Sequence, residues 1–340
     1  MIRVLVVNAG STSLKLSIVG DDGSSAGIGS LQEAAGAVDA VAHRVVHGGT
    51  RFRDPVVIDA GVRAALGELV ELAPLHNRPA LAALDEAVAA FPQLPHVAVF
   101  DTAFHRTIPE EASTYALPAQ WREGWGIRRY GFHGLSVQWA SEQVRASRLV
   151  VCHLGGGCSV TAVRDGRSVD TTMGYSPLEG VPMATRSGSI DAEIVLHLMR
   201  SRLLDLEAVE EALESHSGLL GLSGESERVE ELERSESPAA RLALDVFAHR
   251  VAAAVAAMAA SLGGIDALVS TAGVGEGSAT VRRDVCRRLG FLGVELDEAA
   301  NSTAAPDATV SVRGATVRVV VVHAREDLVA ARAARDVLEP

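Results

Sequence analysis

Hydrophobic positions in the first part of the chain form two short runs around a turn. Residues 4–7 are apolar, residues 8–13 are mostly small and polar, and residues 14–19 alternate between apolar and polar. Such a sequence predicts a β-hairpin. The arrangement returns between residues 148 and 171, where a triple-glycine turn and an Asp-Gly turn separate three more strands. Two strand-turn-strand units, one in each half, indicate an internal duplication.

Apolar spacing of three and four residues predicts helices in the rest of the chain. We expect residues 225–236 to be an exposed charged segment and residues 271–277 a glycine-rich turn. Strands that alternate with helices indicate an α/β architecture. The predicted helices are 61–72, 79–90, 191–202, 206–214, 239–262, 279–289 and 327–338, and the further strands are 96–100, 266–270 and 317–322.

Composition narrows the class of protein. The chain has 340 residues, of which 48% are hydrophobic, so it can bury a large core and has the length of about two domains. The formal net charge of −12 argues against a nucleic-acid-binding surface and against docking to anionic lipid, because both need a basic field. We therefore expect neither nucleic acid nor membrane as a partner, whereas a small anion could still bind where a few cations converge.

Location is predicted from the cysteines and from the absence of a targeting pattern. The three cysteines form no CxxC pair and no zinc spacing, which fits buried thiols in a reduced compartment. The chain starts on a strand-like run without a signal-peptide pattern, and the Ala/Val stretch at 251–262 is too short to span a bilayer. We expect a cytoplasmic protein.

Three turns of small residues follow strands and could bind phosphate through backbone N–H groups. They are residues 8–15, 153–159 and 270–275, and none has the Gly-Lys-Ser/Thr ending of a Walker A motif. The first turn carries Lys15, which is the single lysine against thirty arginines. A lysine kept against that bias suggests a position that needs a compact ammonium, although chance, a plain hairpin turn or a bulge would also account for these segments.

Charged and imidazole side chains stand beside other turns and strand ends. Arg44 and Arg186, if they converge, would suit the spread charge of a transferring phosphoryl group. Asp101 follows a buried strand, at the end where α/β proteins bind ligands. Each also has a plainer interpretation: a surface cation for either arginine, a turn cap for Asp101 and a core histidine for His133.

Taken together, seven segments resemble the acetate kinase family in their order and in their residues: 8–15, 43–49, 72–77, 100–105, 129–134, 169–171 and 177–191. The resemblance implies an α/β fold of two duplicated ribonuclease H-like lobes with a nucleotide cleft between them, the actin-like ATPase fold shared by acetate and sugar kinases, Hsp70 and actin. It places the first lobe at 1–102, completed by the C-terminal helix 327–340, and the second lobe at 103–326.

The resemblance also implies site residues. The catalytic set would be Arg44, Asp101, His133 and Arg186, and the acyl pocket Val46, Leu75, Phe132 and Pro177. The nucleotide site would be Ser11, Ser13, Lys15, His153, Gly155, Gly156, Gly157, Gly273 and Gly275. Mg²⁺ or Mn²⁺ would lie near Asn8 and Glu326, with ATP as co-substrate.

The implied activity is transfer of the γ-phosphoryl of ATP to acetate by a homodimer. A carboxylate acceptor, with a pKa of about 4 to 5, is already ionised at neutral pH, so no general base is needed. The alternatives are a propionate or butyrate kinase, which differs in pocket size, and a catalytically weakened homologue that acts as a nucleotide-dependent regulatory subunit.

Departures from the family pattern fall mostly on the nucleotide side. The stretch between Lys15 and Arg44 is short, and Gly156 and Gly277 stand where asparagines are usual. Arg228-Val229-Glu230 reverses the charges of an Asp-x-Arg, and His323-Ala324-Arg325 replaces a common Pro-Thr. These differences predict an altered nucleotide affinity or preference.

Overall fold

The structure, a computed structural model, describes residues 2–9, 14–70 and 74–339. Ser11, Ser13 and the side chain of Leu75 lie outside the described residues, so their predicted contacts stay predictions. The strands form two mixed sheets of six strands each. Their bounds are β1 Val4–Ala9, β2 Leu14–Val19, β3 Ser25–Ile28, β4 Ala40–Val45, β5 Val56–Val57, β6 His96–Phe100, β7 Arg148–Leu154, β8 Cys158–Arg164, β9 Arg167–Thr171, β10 Ala267–Thr271, β11 Ala308–Thr309 and β12 Arg318–Val322.

The two sheets have the same strand order and the same strand directions. The first is β3-β2-β1-β4-β6-β5, and the second, taken from its other edge, is β9-β8-β7-β10-β12-β11. In each sheet the first three strands are antiparallel, the next two run parallel to the third, and a short antiparallel strand covers the far edge. The predicted duplication is therefore visible in the topology.

Parallel pairing brings distant residues to one edge of each sheet. In the first sheet, Val7 pairs with His43 and Val45 with Phe100, so Arg44 and Asp101 lie side by side where β4 and β6 end. In the second sheet His153 and Thr271 are partners at the equivalent edge. Because the carboxyl ends of parallel strands meet there, these edges are where a ligand site is expected.

Helices cover both sheets. The last helix packs on the first sheet, where Val329 and Ala330 join a core cluster with Val4 and Val99. The helices are α1 Ala60–Glu68, α2 Pro74–Ala90, α3 Glu110–Ser113, α4 Gly134–Gln143, α5 Ala192–Arg200, α6 Leu206–Ser215, α7 Gly218–Ser223, α8 Val229–Leu232, α9 Pro238–Leu262, α10 Ala272–Gly277, α11 Ala279–Arg288, α12 Glu298–Ser302 and α13 Glu326–Leu338.

The two sheets exchange a helix. Helix α4 follows the first sheet in the chain yet packs on the second through Val137 and Ala140, whereas α13 follows the second and packs on the first. An ion pair between Glu142 and Arg332, with an N–O distance of 2.6 Å, joins the two helices. Both helices begin beside the carboxyl edges of the sheets, so their first residues lie near the expected site.

Helix α9 is the longest of the described helices, at 25 residues. By length and composition it could cross a membrane, with a mean hydropathy of 1.6, and it is the one described helix of which this is true. It is also longer than the stretch 251–262 considered in the sequence. In the structure its Phe247, Val251 and Val255 are buried in the core of the second sheet.

Two predicted segments differ from the structure. Residues 272–277 form helix α10 rather than a turn, because Glu276 Oε1 accepts a hydrogen bond from the Ala272 N–H at the start of the helix. Arg282 Nη1 donates to the carbonyl of Glu276 and so covers its end. Residues 225–236 are not exposed throughout, since Val229 and Leu232 of helix α8 are buried.

Candidate active site

A cavity of about 1100 Å³ lies at the carboxyl edges of both sheets. It contains most of the residues that the motifs singled out, and these come from both halves of the chain. The predicted residues that line it are Asn8, Lys15, Arg44, Val46, Asp101, Phe132, His133, His153, Gly155, Gly156, Gly157, Pro177, Arg186, Gly273 and Glu326. Gly275 is not among them, because it faces the backbone of Ser270 inside helix α10.

Arg44 is held by a chain of polar contacts across the floor of the cavity. Its Nε and Nη2 donate to the two carboxylate oxygens of Asp101 at 2.9 and 2.5 Å, and Nη1 donates to Asn8 Oδ1 at 2.9 Å. Asn8 in turn donates from Nδ2 to Glu326 Oε2 at 3.1 Å. Of the five N–H groups of Arg44, three are used in the described part of the chain. The remaining two can bind a ligand in a fixed direction.

Charge balance in this group favours the charged forms of Arg44 and Glu326. Burial would lower the pKa of Arg44, but Asp101 and Glu326 outweigh it and raise that pKa. Burial raises the pKa of Asp101, and Arg44 opposes that effect. Although burial would raise the pKa of Glu326 too, the charge of Arg44 and the hydrogen bond from Asn8 lower it. A cation thus faces the cavity with its counter-ions behind it.

Two stacked histidines lie beside this cation. The rings of His133 and His153 are 4.0 Å apart between centroids, at an interplanar angle of 18°. His133 Nδ1 is 3.0 Å from Ser159 Oγ, and His153 Nδ1 is 2.8 Å from Ser136 Oγ. If the serine hydroxyls donate to Nδ1, both Nε2 atoms carry hydrogens and can donate to a ligand.

The histidines are neutral at physiological pH. Burial lowers the pKa of His153 to about 4. Burial, His153 and the nearby cations Arg44 and Arg186 lower the pKa of His133 well below its ordinary value. His133 can therefore donate a hydrogen bond to an anion without adding a positive charge.

Arg186 reaches the same place from the loop between strand β9 and helix α5. Its Nη1 donates to the carbonyl of Pro177 at 2.8 Å. A Cβ at Gly157 would lie 2.8 Å from Arg186 Nη2 and 3.1 Å from His133 Nε2. Residue 157 therefore has to be a glycine, because any side chain would fill the space that the arginine and the histidine face.

The far end of the cavity is open. A Cβ at the lining residues Gly156 or Gly273 would meet no heavy atom within 4 Å, and the same holds for Gly277, which follows the lining residue Glu276. Beside them, Glu276 accepts hydrogen bonds from the Ala324 N–H at 2.9 Å and from His323 Nδ1 at 2.7 Å. The wide end has the size and the backbone exposure that a nucleotide needs, but few side chains to hold a base.

An apolar wall closes the other end. Val46, Phe132 and Pro177 line the cavity there, and Val46 and Phe132 are buried in the core of the second sheet. The wall shares the cavity with Arg44 and Arg186, and its Pro177 is hydrogen-bonded to Arg186. A short acyl chain could pack against it with its charged end toward the arginines.

Several residues that support the site were not singled out from the sequence. Ser136 and Ser159 orient the histidines, and Glu276, which lines the cavity, contacts His323. These roles gave no signal because the partners are 17, 26 and 47 residues away. Conversely, Arg228 and Glu230 do not line the cavity. They form an ion pair with each other at the surface, at 3.7 Å.

The residues present fit a divalent cation with few protein ligands. Among the described residues no cluster of three or more His, Cys, Asp or Glu side chains could hold a metal ion by itself. Glu326 nevertheless offers an ionised carboxylate in the cavity, with Oε2 aligned by Asn8. Mg²⁺ is commonly held in this way, by one or two carboxylates, water and the phosphates of a substrate.

Duplicated sheets, with two arginines, a neutral histidine and a glycine turn meeting in a cavity at their carboxyl edges, fit a two-lobed phosphotransferase. The model of the Acetokinase family matches residues 28–332. The chain belongs to the Acetokinase family, and the predicted membership is confirmed.

Individual relatives agree with this assignment. The chain is 49% identical over 315 residues to the acetate kinase of Deinococcus deserti and 45% identical over 301 residues to that of Nostoc punctiforme. These alignments cover 88% and 85% of this chain and 78% and 74% of the relatives.

Solved structures confirm the predicted fold. A propionate kinase from Francisella tularensis aligns with a TM-score of 0.91 at 32% identity, covering 98% of this chain and 99% of its own. The acetate kinase of Porphyromonas gingivalis aligns with a TM-score of 0.87 at 31% identity over 100% of both chains.

Proposed function

We propose that this enzyme transfers the γ-phosphoryl group of ATP to acetate and forms acetyl phosphate and ADP. The observation that carries the proposal is the meeting of Arg44, Arg186 and His133 in one cavity beside the Gly155-Gly156-Gly157 turn. The apolar wall supplies the place for a methyl group. Kinase activity of this type is that of the family to which the chain belongs.

The chain's own residues act by position and charge. Arg44 and Arg186 neutralise the oxygens of the moving phosphoryl group, and His133 donates to one of them from Nε2. Asp101 holds Arg44 in place by its two hydrogen bonds. Acetate attacks as a carboxylate, so no side chain has to remove a proton.

The nucleotide and the metal complete the site. We propose that Lys15, His153 and the backbone of residues 155–157 face the phosphates, and that Glu326 holds Mg²⁺, or Mn²⁺ in its place, with Asn8 aligning the carboxylate. Bound there, the metal would offset the negative charge of the phosphates.

The test is an assay of purified protein with Mg-ATP and acetate, in which hydroxylamine traps acyl phosphate. We expect acetyl hydroxamate, and ADP formed in equal amount. Propionate and butyrate are run in parallel, and higher kcat/KM with either would favour the acyl-chain alternative. Tight ATP binding without product from any carboxylate would instead favour a regulatory subunit.

The open nucleotide end predicts weak ATP binding. We expect Gly156→Asn and Gly277→Asn each to lower the KM for ATP roughly 3- to 10-fold, because one added hydrogen bond contributes about 0.5–1.5 kcal/mol. Neither glycine has a positive φ, so asparagine fits the backbone. Initial rates against ATP, GTP and pyrophosphate measure the effect. Gly156 lines the cavity and Gly277 follows the lining residue Glu276 directly, whereas Gly290 also meets open space but is neither in the lining nor next to it in the chain. Gly290→Asn is therefore the control, and unchanged KM values in both Gly156→Asn and Gly277→Asn would contradict the prediction.

We also propose a homodimer, supported by the exposed apolar side chains around helix α5. Large hydrophobic residues stand 41 to 63% exposed there, and α5 itself buries none of its residues. Contiguous exposed apolar patches mark interaction sites. The set is Ile190, Ile194, Leu196, Met199, Leu203 and Leu206.

Three buried free cysteines support a cytoplasmic location.

The dimer is tested by light scattering during size-exclusion chromatography. We expect the native protein at twice its 35.5 kDa mass and the Leu203→Glu, Leu206→Glu variant at the monomer mass. Leu242→Glu, another exposed leucine, serves as control. A monomeric native protein would overturn the assignment.

A further inference from the structure

We propose that Glu179 is a positioning residue that sets both the size of the acyl pocket and the direction of Arg186. It does so by fixing residues 172–180, called here the Pro177 loop. The inference rests on the proposed function, which assigns Pro177 to the acyl pocket and Arg186 to the phosphoryl group. Glu179 itself does not line the cavity.

Glu179 is held by two side chains from outside the loop. Arg129 Nη2 donates to Oε1 at 2.8 Å, and the hydroxyl of Tyr115 donates to Oε2. Arg129 also donates from Nη1 to the carbonyls of Thr172 and Met173, at 2.9 and 3.1 Å. One guanidinium thus ties the start of the loop to its end. The Arg129 side chain is 16% exposed and that of Glu179 33%, so the ion pair is partly shielded from water.

Tyr115 makes the second tie. Its oxygen accepts a hydrogen bond from the Tyr175 N–H at 2.9 Å while its hydroxyl hydrogen goes to Glu179. Burial, together with the neighbouring carboxylate, raises the pKa of Tyr115, so the phenol keeps the proton it donates. The middle of the loop is therefore bound to the same carboxylate as its two ends.

The packing around this carboxylate leaves no room for adjustment. A Cβ at Gly174 would overlap both Glu179 Oε2 and the Tyr115 oxygen. The Gly174 carbonyl also accepts from the Tyr130 N–H at 2.9 Å. Close packing of this kind transmits a shift of one group to its neighbours.

The loop connects directly to the reacting groups. Among the described residues, the Pro177 carbonyl is the one hydrogen-bond partner of the Arg186 side chain. The Pro177 ring forms the apolar wall together with Val46 and Phe132. Loss of the Glu179 contacts would therefore move the support of Arg186 and the wall of the acyl pocket at the same time.

The test compares Glu179→Ala, Glu179→Gln and Tyr115→Phe with the wild-type enzyme, using acetate and propionate. We expect Glu179→Ala to lower kcat with acetate about 10- to 100-fold, since misplacement by an ångström costs about that much. We expect the acetate-to-propionate ratio of kcat/KM to fall at least about fivefold, because a pocket discriminates one methylene by about 10- to 200-fold. The KM for ATP should stay within twofold.

The other variants separate positioning from simple stability. Glu179→Gln keeps an acceptor for Arg129 and should recover part of the lost selectivity, and Tyr115→Phe keeps the ring and should show a smaller change in the same direction. Asp85→Ala, which breaks the Arg63–Asp85 ion pair on helix α2, is the matched control and should change only the melting temperature.

Two results would overturn the assignment, and they differ. A wild-type protein that forms no acyl phosphate would overturn the proposed function and this inference with it. In the second case the wild type is active, and the Glu179→Ala and Tyr115→Phe variants melt at lower temperature yet keep the acetate-to-propionate ratio of kcat/KM. That result would leave the proposed function intact and show that Glu179 is only structural.

Discussion

Replacing Arg186 with alanine is expected to lower kcat for acetyl phosphate formation about a thousandfold or more, with little change in ATP binding. An arginine that neutralises a transferring phosphoryl group contributes about 10³ to 10⁵ in rate. Arg186 is suited to that role because it is a buried cation that faces Gly157 and His133 in the cavity. Burial lowers the pKa of its guanidinium but does not remove the charge. The hydroxylamine assay and an ATP titration measure the two quantities.

Controls make this result specific. Arg186→Lys should recover only part of the activity, because a single ammonium cannot reproduce a planar fork of donors. Arg228→Ala removes a surface arginine outside the cavity and should leave kcat unchanged. A loss of less than tenfold in Arg186→Ala would contradict the role assigned to this residue.

Acid is expected to unfold the protein between about pH 5 and pH 6. Burial lowers the pKa of His43 to about 3 and the pKa values of His47, His105 and His153 to about 4. In the unfolded chain each has a pKa of about 6.5, so between these values the unfolded state binds more protons and stability falls as pH falls. At pH 5 each histidine removes roughly 2 kcal/mol, and together the four approach the whole stability of a typical domain.

Thermal denaturation from pH 8 to pH 5 tests this expectation. We expect a melting temperature that is flat above pH 7 and falls steeply below it. His105→Gln should reduce the slope of the free energy of unfolding against pH by about 1.4 kcal/mol per pH unit, the contribution of one proton. A melting temperature that stays constant down to pH 5 would contradict the burial of neutral histidines.

Much of the fold could be predicted because its strands follow simple patterns. Strands β2, β6 and β7 have the predicted bounds, since each is a short apolar or alternating run between turn residues. Helix α9 was found within one residue by its length and apolar spacing. Periodicity is a local property, and these elements are decided locally.

Two helices that start or end in glycine-rich segments were missed. Helix α4 begins after His133 in a Gly-Phe-His-Gly segment, with His133 at a positive φ of 58°, which a sequence pattern would assign to a loop. Helix α10 contains three glycines and is stabilised by Glu276 and Arg282. The glycine content predicted a turn, whereas hydrogen bonds from these side chains stabilise a helix.

The site shows the same division. The position of Asp101 after a buried strand already suggested a ligand edge, and β4 and β6 place it beside Arg44. The serines behind His133 and His153 and the network of Glu179 could not be predicted, because they arise where loops from separate parts of the chain meet. The sequence pattern predicts which residues lie at the edge of the sheet, whereas the residues that support them depend on tertiary packing.

The central claim is that Arg44, Arg186 and His133 bind one and the same phosphoryl group. A crystal structure of the enzyme with ADP, Mg²⁺, aluminium fluoride and acetate tests it most directly. We expect the fluoride atoms to lie within hydrogen-bond distance, about 3 Å, of all three side chains, with the acetate methyl against Val46 and Phe132. An aluminium fluoride bound elsewhere, or one that only a single arginine contacts, would contradict the account.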